Sequence, residues 1–332
     1  MLLANTGIAL LGTGRCVPGP PISNAELIAR LSLQTTDAWI RAHIGVETRH
    51  WAPPELATSD LAVQAGRAAL LSAGVRADEL GAIVLGTSSG DVPTPATACL
   101  VQHALGARCP ASDELAACAG FLFALDHGAR LVATGVSPVL VLGADCKSRF
   151  LDLTDRLTCS IFGDGAGAAV LGASDDRTRG VLDSELWTDG SHAADIQVPA
   201  GGSRRPASHQ TVDEHLHGTR LRDAREVFGE AVALQSRFAR EMTARHGLTM
   251  ADIAWLIPHQ ANRNIVEATA RALDFPLERT LLNVDRCGNT VAAGVPMALD
   301  ELLRSGRAQA GDRILLVCVG AGFTGGATLL RI

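Results

Sequence analysis

Three residues of chemically useful type each sit in a turn between an apolar run and a helical pattern. Cys118 lies in DELAACAGFLFAL (113–125), where Ala116, Ala117, Ala119 and Gly120 remove bulk on both sides of the sulfur. The helix that follows would set its N-terminus at the thiol, and its unpaired N–H groups and dipole would favour thiolate over thiol. A strand-to-helix turn also exposes a nucleophile. A small buried structural cysteine fits the same segment, so the turn alone leaves both readings open. His259, in WLIPHQANRNI (255–265), follows an apolar strand ending at Pro258. That placement points a side chain into the crevice of an open sheet, although a lone histidine is more often structural. Asn262, three residues on, is a good helix N-cap. Asn289, in DRCGNTVAAGVPMAL (285–299), reads first as part of a Gly-Asn turn.

The elements that must position these residues alternate along the chain. Ile8–Leu11, Ala82–Leu85, Val139–Leu142, Ala168–Leu171, Trp255–Ile257 and Ile314–Val319 are short apolar runs that predict buried strands. Thr58–Ala73, Pro95–Leu105, Phe121–Thr134, Val227–His246, Ala261–Leu273 and Val295–Ser305 carry helical patterns. The alternation predicts an α/β fold with layered sheets. The long apolar stretch 314–330 is broken by Gly320, Gly322, Gly325 and Gly326, so it reads as two strands around a turn and not as a membrane span.

An internal repeat brings the three turns together. RADELGAIVLGTSS (76–89) parallels TMADIAWLIPHQA (249–261), each a turn with Asp leading into a strand. ASDELAACAGFLFAL (111–125) parallels LLNVDRCGNTVAAGVPMAL (281–299), each read as a strand, a small-residue turn and a helix. SPVLVLGAD (137–145) parallels GDRILLVCVGAG (311–322). The offset stays near 170–175 residues across the three blocks. Two duplicated halves, 1–174 and 175–332, would set the Cys118 turn against the Asn289 turn. The His259 loop would match the loop at Thr87–Asp91.

Composition narrows the function classes. A chain of 332 residues with 47% hydrophobic and 19% charged residues can bury a large core. A formal charge of −6 argues against nucleic acid as the main partner. The eight cysteines form no CxxC pair and no Cys/His ladder, which predicts a reduced, cytoplasmic protein. MLLANTGIALLGTG lacks a basic region and a cleavage site, so no signal peptide is expected. GDGAGAAVL (163–171) lacks the Lys-Ser/Thr of a phosphate loop, and its glycines suit tight packing. Pro199–Thr219 is a polar excursion that could act as a lid. Its His209, His215 and His217 lack the companions of a metal site.

Taken together, the motifs resemble one family. DAWIRAHIGVETRH (37–50), AACAGF (116–121), FGDGAGAAVL (162–171), IPHQAN (257–262), GNTVAAGVPMALDE (288–301) and GAGFTGGATLLR (320–331) occur in the order found in the β-ketoacyl-acyl-carrier-protein synthase III family of the thiolase superfamily. The resemblance spans nearly the whole chain. It implies a thiolase-like five-layered α/β/α/β/α fold from two duplicated halves, assembled as a homodimer. It implies that Cys118 is the acyl nucleophile and that His259 and Asn289 form the decarboxylating pair. The backbone N–H groups of Cys118 and Ala321 would make the oxyanion hole. An acyl-CoA would acylate Cys118, and a malonyl thioester on an acyl carrier protein would then condense with loss of CO₂. No metal or organic cofactor is expected, coenzyme A being substrate.

Substrate contacts follow from the same resemblance. Trp39 would stack on the adenine of coenzyme A, Arg156 would lie near the nucleotide, and Asn262 would touch the pantetheine arm. Thr94 would gate the acyl pocket, with the second protomer contributing there. The chain also departs from the housekeeping pattern at His43, Glu47, Arg263, Thr94, Val319 and LRDAREVF (221–228). Fewer basic residues at the portal would weaken docking to an acidic carrier, and a small gate would admit a longer, branched or polar acyl group. These departures point to a specialised condensing enzyme. Acyl transfer to an O or N nucleophile without decarboxylation is the alternative, and Asn289 speaks against it. A non-catalytic partner subunit would have lost its nucleophile. A cysteine hydrolase could use Cys, His and Asn but would form no C–C bond.

Overall fold

A computed structural model describes residues 6–332; the reading of the N-terminus as leaderless rests partly on residues 1–5, which lie outside them. One sheet takes β1 (Ile8–Cys16), β4 (Ala82–Gly86), β5 (Ala111–Glu114), β6 (Val139–Asp145) and β7 (Gly165–Ala173) in the order β1-β7-β6-β4-β5. A second takes β8 (Gly180–Thr188), β11 (Trp255–Pro258), β12 (Arg313–Gly320) and β13 (Thr324–Arg331) in the order β8-β13-β12-β11. Both run antiparallel, antiparallel, then parallel from the first-named edge. Short ladders pair β2 (Ile22–Ser23) with β3 (Thr48–Arg49) and β9 (Ile196–Gln197) with β10 (Arg220–Leu221).

Helices make the other three layers. α5 (Gly120–Ala133) and α11 (Gly294–Arg304) lie between the sheets, in one core with residues of both. Each buries most of its circumference between the sheets, while Arg130 of α5 and Arg304 of α11 reach solvent. Phe121, Leu122 and Leu125 are among the buried side chains, each adding about 1.5–3 kcal/mol of apolar burial. α3 (Thr58–Ala73) and α4 (Thr97–Leu105) cover the outer face of the first sheet. α8 (Ala224–Arg245) covers the second, with α9 (Arg263–Ala272) packed against it. The connections hold α1 (Asn24–Leu31), α2 (Asp37–His43), α6 (Arg156–Ile161), α7 (His209–Asp213) and α10 (Val284–Cys287). The result is five layers, α/β/α/β/α.

Every strand and helix expected from the apolar patterns is present. The helix expected from Ala261 starts at Arg263, because Asn262 caps it by accepting the Ile265 N–H at 2.8 Å. One expectation fails. No strand precedes the Asn289 turn; its first-half counterpart β5 is matched only by a single parallel bridge from Thr280 to Leu256. The chain there turns into α10 instead, held by the Gln260 side chain, which accepts the Asn283 N–H at 2.9 Å. Among the described residues no helix is long and apolar enough to cross a membrane.

Candidate active site

The two halves hold each other's turns. Cys118 lies in a single 3-10 turn, Ala117–Ala119, ahead of α5; Val291–Ala293 is the matching turn ahead of α11. Ala117 (φ +45°) and Val291 (φ +53°) both take the left-handed backbone, which L side chains adopt only where the surroundings force it. The surroundings here come from the opposite half. A Cβ on Gly320 of β12 would lie 2.8 Å from the Cys118 nitrogen, and one on Gly143 of β6 would lie 2.4 Å from the Ala292 oxygen. Only glycine allows these approaches. Thr324 Oγ1 donates to Ala116 O at 2.8 Å, and Cys318 Sγ donates to Cys118 O at 3.1 Å.

The turns differ in one respect that matters chemically. The Ala292 N–H donates to Asp145 Oδ2 at 3.0 Å. Among the described residues the Cys118 N–H donates to no turn or loop carbonyl, and neither does that of Ala321. The first amide is spent on the fold; the other two remain available to a ligand oxygen.

Cys118, His259, Asn289 and Ala321 line one cavity of about 940 Å³, together with Trp39, Arg156 and Asn262. His259 follows β11, and its backbone N–H reaches Val317 O (2.8 Å) and Gln235 Oε1 (3.0 Å). Its Nδ1 is buried without a partner among the described residues, which leaves Nε2 as the ring nitrogen open to the cavity. Burial pulls the imidazole pKa down to about 4, so the ring is neutral near pH 7. Asn289 Oδ1 accepts the Val291 N–H at 2.9 Å. Since an N–H needs an acceptor, this fixes the amide orientation and leaves Nδ2 as a donor.

One electrostatic expectation is corrected. The helix N-terminus does not leave Cys118 as a ready thiolate. Burial pushes the thiol up to about 12, Asp145 adds to the rise, and Lys147 opposes it. Removal from water disfavours the thiolate, and a helix dipole supplies only a fraction of a charge to set against it. The resting cavity is lined by a neutral thiol and a neutral imidazole.

The outer residues fall into two groups. Trp39 stacks on His43 (4.6 Å between ring centroids), and the Arg156 guanidinium carbon stands 4.9 Å from the Trp39 ring centroid. An inserted base needs about 7 Å between faces at ordinary contact distance, so Arg156 must withdraw for one to enter. Thr94 is exposed and is not part of the cavity wall. It belongs to the loop before α4 (Thr97–Leu105). Of the departures noted in the sequence, Glu47 pairs with Arg41 (3.0 Å) and Arg263 with Glu267 (3.1 Å). Asn264 donates to His43 O at 2.9 Å, tying α9 to the end of α2.

The polar excursion packs back on the body, with Thr219 N–H donating to Phe150 O at 2.8 Å, and Thr219 lines the cavity. His217 Nε2 lies 2.9 Å from Thr211 Oγ1, and His215 faces Asp152. Among the described residues no group of three His, Cys, Asp or Glu side chains could hold a metal ion. Sequence reasoning overlooked Gln235, Gln260, Asp145 and Lys147. Lys147 had a signal to offer: it is the only lysine in the chain.

Comparison with known proteins agrees along nearly the whole chain. The family model for 3-oxoacyl-(acyl-carrier-protein) synthase III matches residues 112–190, and the model of that family's C-terminal part matches 243–332. A β-ketoacyl-(acyl-carrier-protein) synthase III of Solibacter usitatus is 42% identical over 320 residues, 95% of this chain and 96% of that one. The crystal structure of a 3-oxoacyl-(acyl carrier protein) synthase III from Pseudomonas aeruginosa superposes with a TM-score of 0.89 at 39% identity, covering 98% of each chain. The priming β-ketosynthase of a polyketide biosynthetic pathway gives a TM-score of 0.87 at 34% identity, covering 98% and 96%.

Proposed function

The chain belongs to the 3-oxoacyl-(acyl-carrier-protein) synthase III family, and from that premise we propose how its residues carry out a decarboxylative condensation. It is a condensing acyltransferase of the β-ketoacyl synthase III type with a thiolase-like fold. The single observation that carries the residue roles is the convergence of Cys118, His259, Asn289 and Ala321 on one cavity.

In the first step the Cys118 sulfur attacks the carbonyl of an acyl-CoA. The Sγ–C bond forms, the bond to the coenzyme A sulfur breaks, and the thiol proton leaves with that sulfur. The Cys118 and Ala321 N–H groups receive the tetrahedral oxyanion; such a donor is worth about 3–4 kcal/mol. With the thiol near 12, proton loss is concerted with attack or with departure of the coenzyme A thiol. An imidazole near 4 is a poor base for it.

In the second step a malonyl thioester on an acyl carrier protein enters. Neutral His259, through Nε2–H, and Asn289, through Nδ2–H, donate to its thioester oxygen. Enolate charge grows there as the C–CO₂ bond breaks. The carbanion carbon attacks the acyl carbon on Cys118; the C–C bond forms, the Sγ–C bond breaks, and the released thiolate takes up a proton. Thioester cleavage and loss of CO₂ drive the sequence, so the reaction as written calls for no metal or organic cofactor. Trp39 and Arg156 would open to take the adenine between them, and Asn262, its Oδ1 occupied as the α9 cap, would offer Nδ2 to the pantetheine arm.

A second copy of the chain completes the acyl end. Leu115, beside the Cys118 turn, is 82% exposed, and Val92 and Leu100 are exposed close in sequence to Thr94. Pairing through this apolar face would bring Thr94 of one protomer to the cavity of the other. Eight free cysteines suit a reducing cytoplasm.

Intact-protein mass spectrometry with a panel of acyl-CoAs tests the first step. Wild type should gain the acyl mass and Cys118→Ala should not. Adducts on both proteins, or on neither with every thioester, would overturn the assignment of Cys118.

A further inference from the structure

Lys147, the sole lysine of the chain, lies two residues beyond β6 and lines the cavity with Cys118. It is only 7% exposed, yet it makes no hydrogen bond and no ion pair among the described residues. Its ammonium stands 5.9 Å from the Phe150 ring centroid and 5.7 Å from that of Phe162. Asp145, the nearest acidic residue in sequence, does not need it as a partner. Asp145 Oδ1 takes the Ser88 N–H (2.9 Å) and the Ser88 and Ser89 hydroxyls (3.0 and 2.7 Å), and Oδ2 takes the Ala292 N–H. Burial lowers the Lys147 pKa below that of an ordinary lysine, while Asp145 and Cys118 act the other way.

A buried amine with unmet donors beside the acylation site constrains what can fill the cavity. A hydrocarbon acyl chain would strip water from the amine and return nothing, which is unfavourable. A carboxylate would replace that water with charge-assisted hydrogen bonds. The malonyl extender is a poor candidate for this contact. An ammonium that stabilises its carboxylate favours the ground state over the transition state in which the charge leaves as CO₂. The acyl donor is the substrate whose carboxylate survives the reaction.

We propose that Lys147 makes the cavity selective for acyl groups that carry a carboxylate, the hemithioesters of short dicarboxylic acids. The acid oxygens take the Lys147 donors while the thioester carbon meets Cys118. This deepens the proposed function and rests on Cys118 acylation. The step is unchanged: the Sγ–C bond forms, the coenzyme A sulfur leaves and carries the thiol proton, and the distal carboxylate takes no part in bond changes.

Succinyl- and glutaryl-CoA, set against butyryl- and valeryl-CoA, match chain length carbon for carbon. Wild type should be acylated at least about tenfold more efficiently by the acid-bearing donors, the scale of one charge-assisted contact. Lys147→Met should reverse the order. A second arm needs no catalysis. In Cys118→Ala protein carrying ¹³C-lysine, the one lysine resonance should shift with succinyl-CoA and much less with butyryl-CoA. Equal acylation by both series, or a Lys147→Met loss that is the same for every donor, would overturn the proposal in favour of a general role in activating Cys118. Should wild type form no adduct while the lysine resonance still discriminates, the acylation reading fails and the lysine's selectivity stands. No discrimination in either arm overturns the selectivity.

Discussion

Asn289 Oδ1 accepts the Val291 N–H at 2.9 Å, and this bond turns the Asn289 Nδ2 donor toward the cavity that holds Cys118. The same residue therefore serves the turn with its oxygen and the substrate with its nitrogen.

Asn289→Asp separates those two uses. An aspartate keeps an acceptor for Val291 but has no N–H to offer. We expect condensation to fall by about 10²-fold or more, the scale of one lost oxyanion-type donor. Acyl-Cys118 should still form within a few-fold of wild type. Steady-state condensation read beside intact mass checks both, and equal losses in the two steps would contradict the division of labour.

Gly320 gives the close contact between the halves its sharpest test. A methyl group there would meet the Cys118 and Ala119 nitrogens and the Ala116 oxygen at 2.8–3.0 Å, all of them backbone atoms. The turn must shift, so Gly320→Ala should cost about 1–3 kcal/mol of stability, as overpacking does. It should also cut acylation by a factor of 10² or more, since an ångström of misplacement costs about that much. Denaturant unfolding and single-turnover acylation report the two effects separately.

The pH dependence of Cys118 follows from its burial. A thiol pushed up to about 12 is protonated throughout the physiological range. Alkylation of Cys118 by iodoacetamide should rise about tenfold per pH unit from pH 7 to beyond pH 10. A plateau reached by pH 7 would mean that the dipole of α5 dominates.

His259 shifts the other way. Its folded pKa of about 4 lies below that of the unfolded chain. Between pH 6.5 and 4 the unfolded state binds a proton that the native state refuses, so native stability falls as pH falls. The contribution is absent above pH 6.5 and reaches about 3 kcal/mol near pH 4. His259→Asn should flatten this part of the stability–pH curve in urea titrations. An unchanged slope would show that His259 takes up its proton normally in the folded protein.

Much of the fold was legible because the buried strands are short unbroken apolar runs and the helices carry clear patterns. Val139–Leu142 and Thr58–Ala73 are examples, and both lie where expected. The candidate site was legible in position because Cys118 and Asn289 stand in small-residue turns that repeat at one offset, with His259 at the end of a buried strand; the roles of the three came from the family resemblance. What the sequence hid was the consequence of burial. Local reasoning places Cys118 at a helix N-terminus and expects a thiolate, but the desolvation that reverses this comes from β12 and the Asn289 turn, some 170–200 residues away in sequence. Lys147 escaped for a related reason. A lysine after a strand reads as surface, and only the packing of Phe150 and Phe162 around it shows otherwise. The missing strand before Asn289 is a third case, since Gln260 turns that segment into α10 from across the layer.

The most direct test of the account follows the extender's carboxyl carbon. Wild type, pre-acylated on Cys118, would be given a malonyl thioester on acyl carrier protein labelled with ¹³C at the free carboxyl, and both labelled CO₂ and β-ketoacyl product would be quantified. The account predicts one labelled CO₂ per β-ketoacyl product, with neither formed by Cys118→Ala. Discharge of acyl-Cys118 to an oxygen or nitrogen acceptor without labelled CO₂ would contradict it.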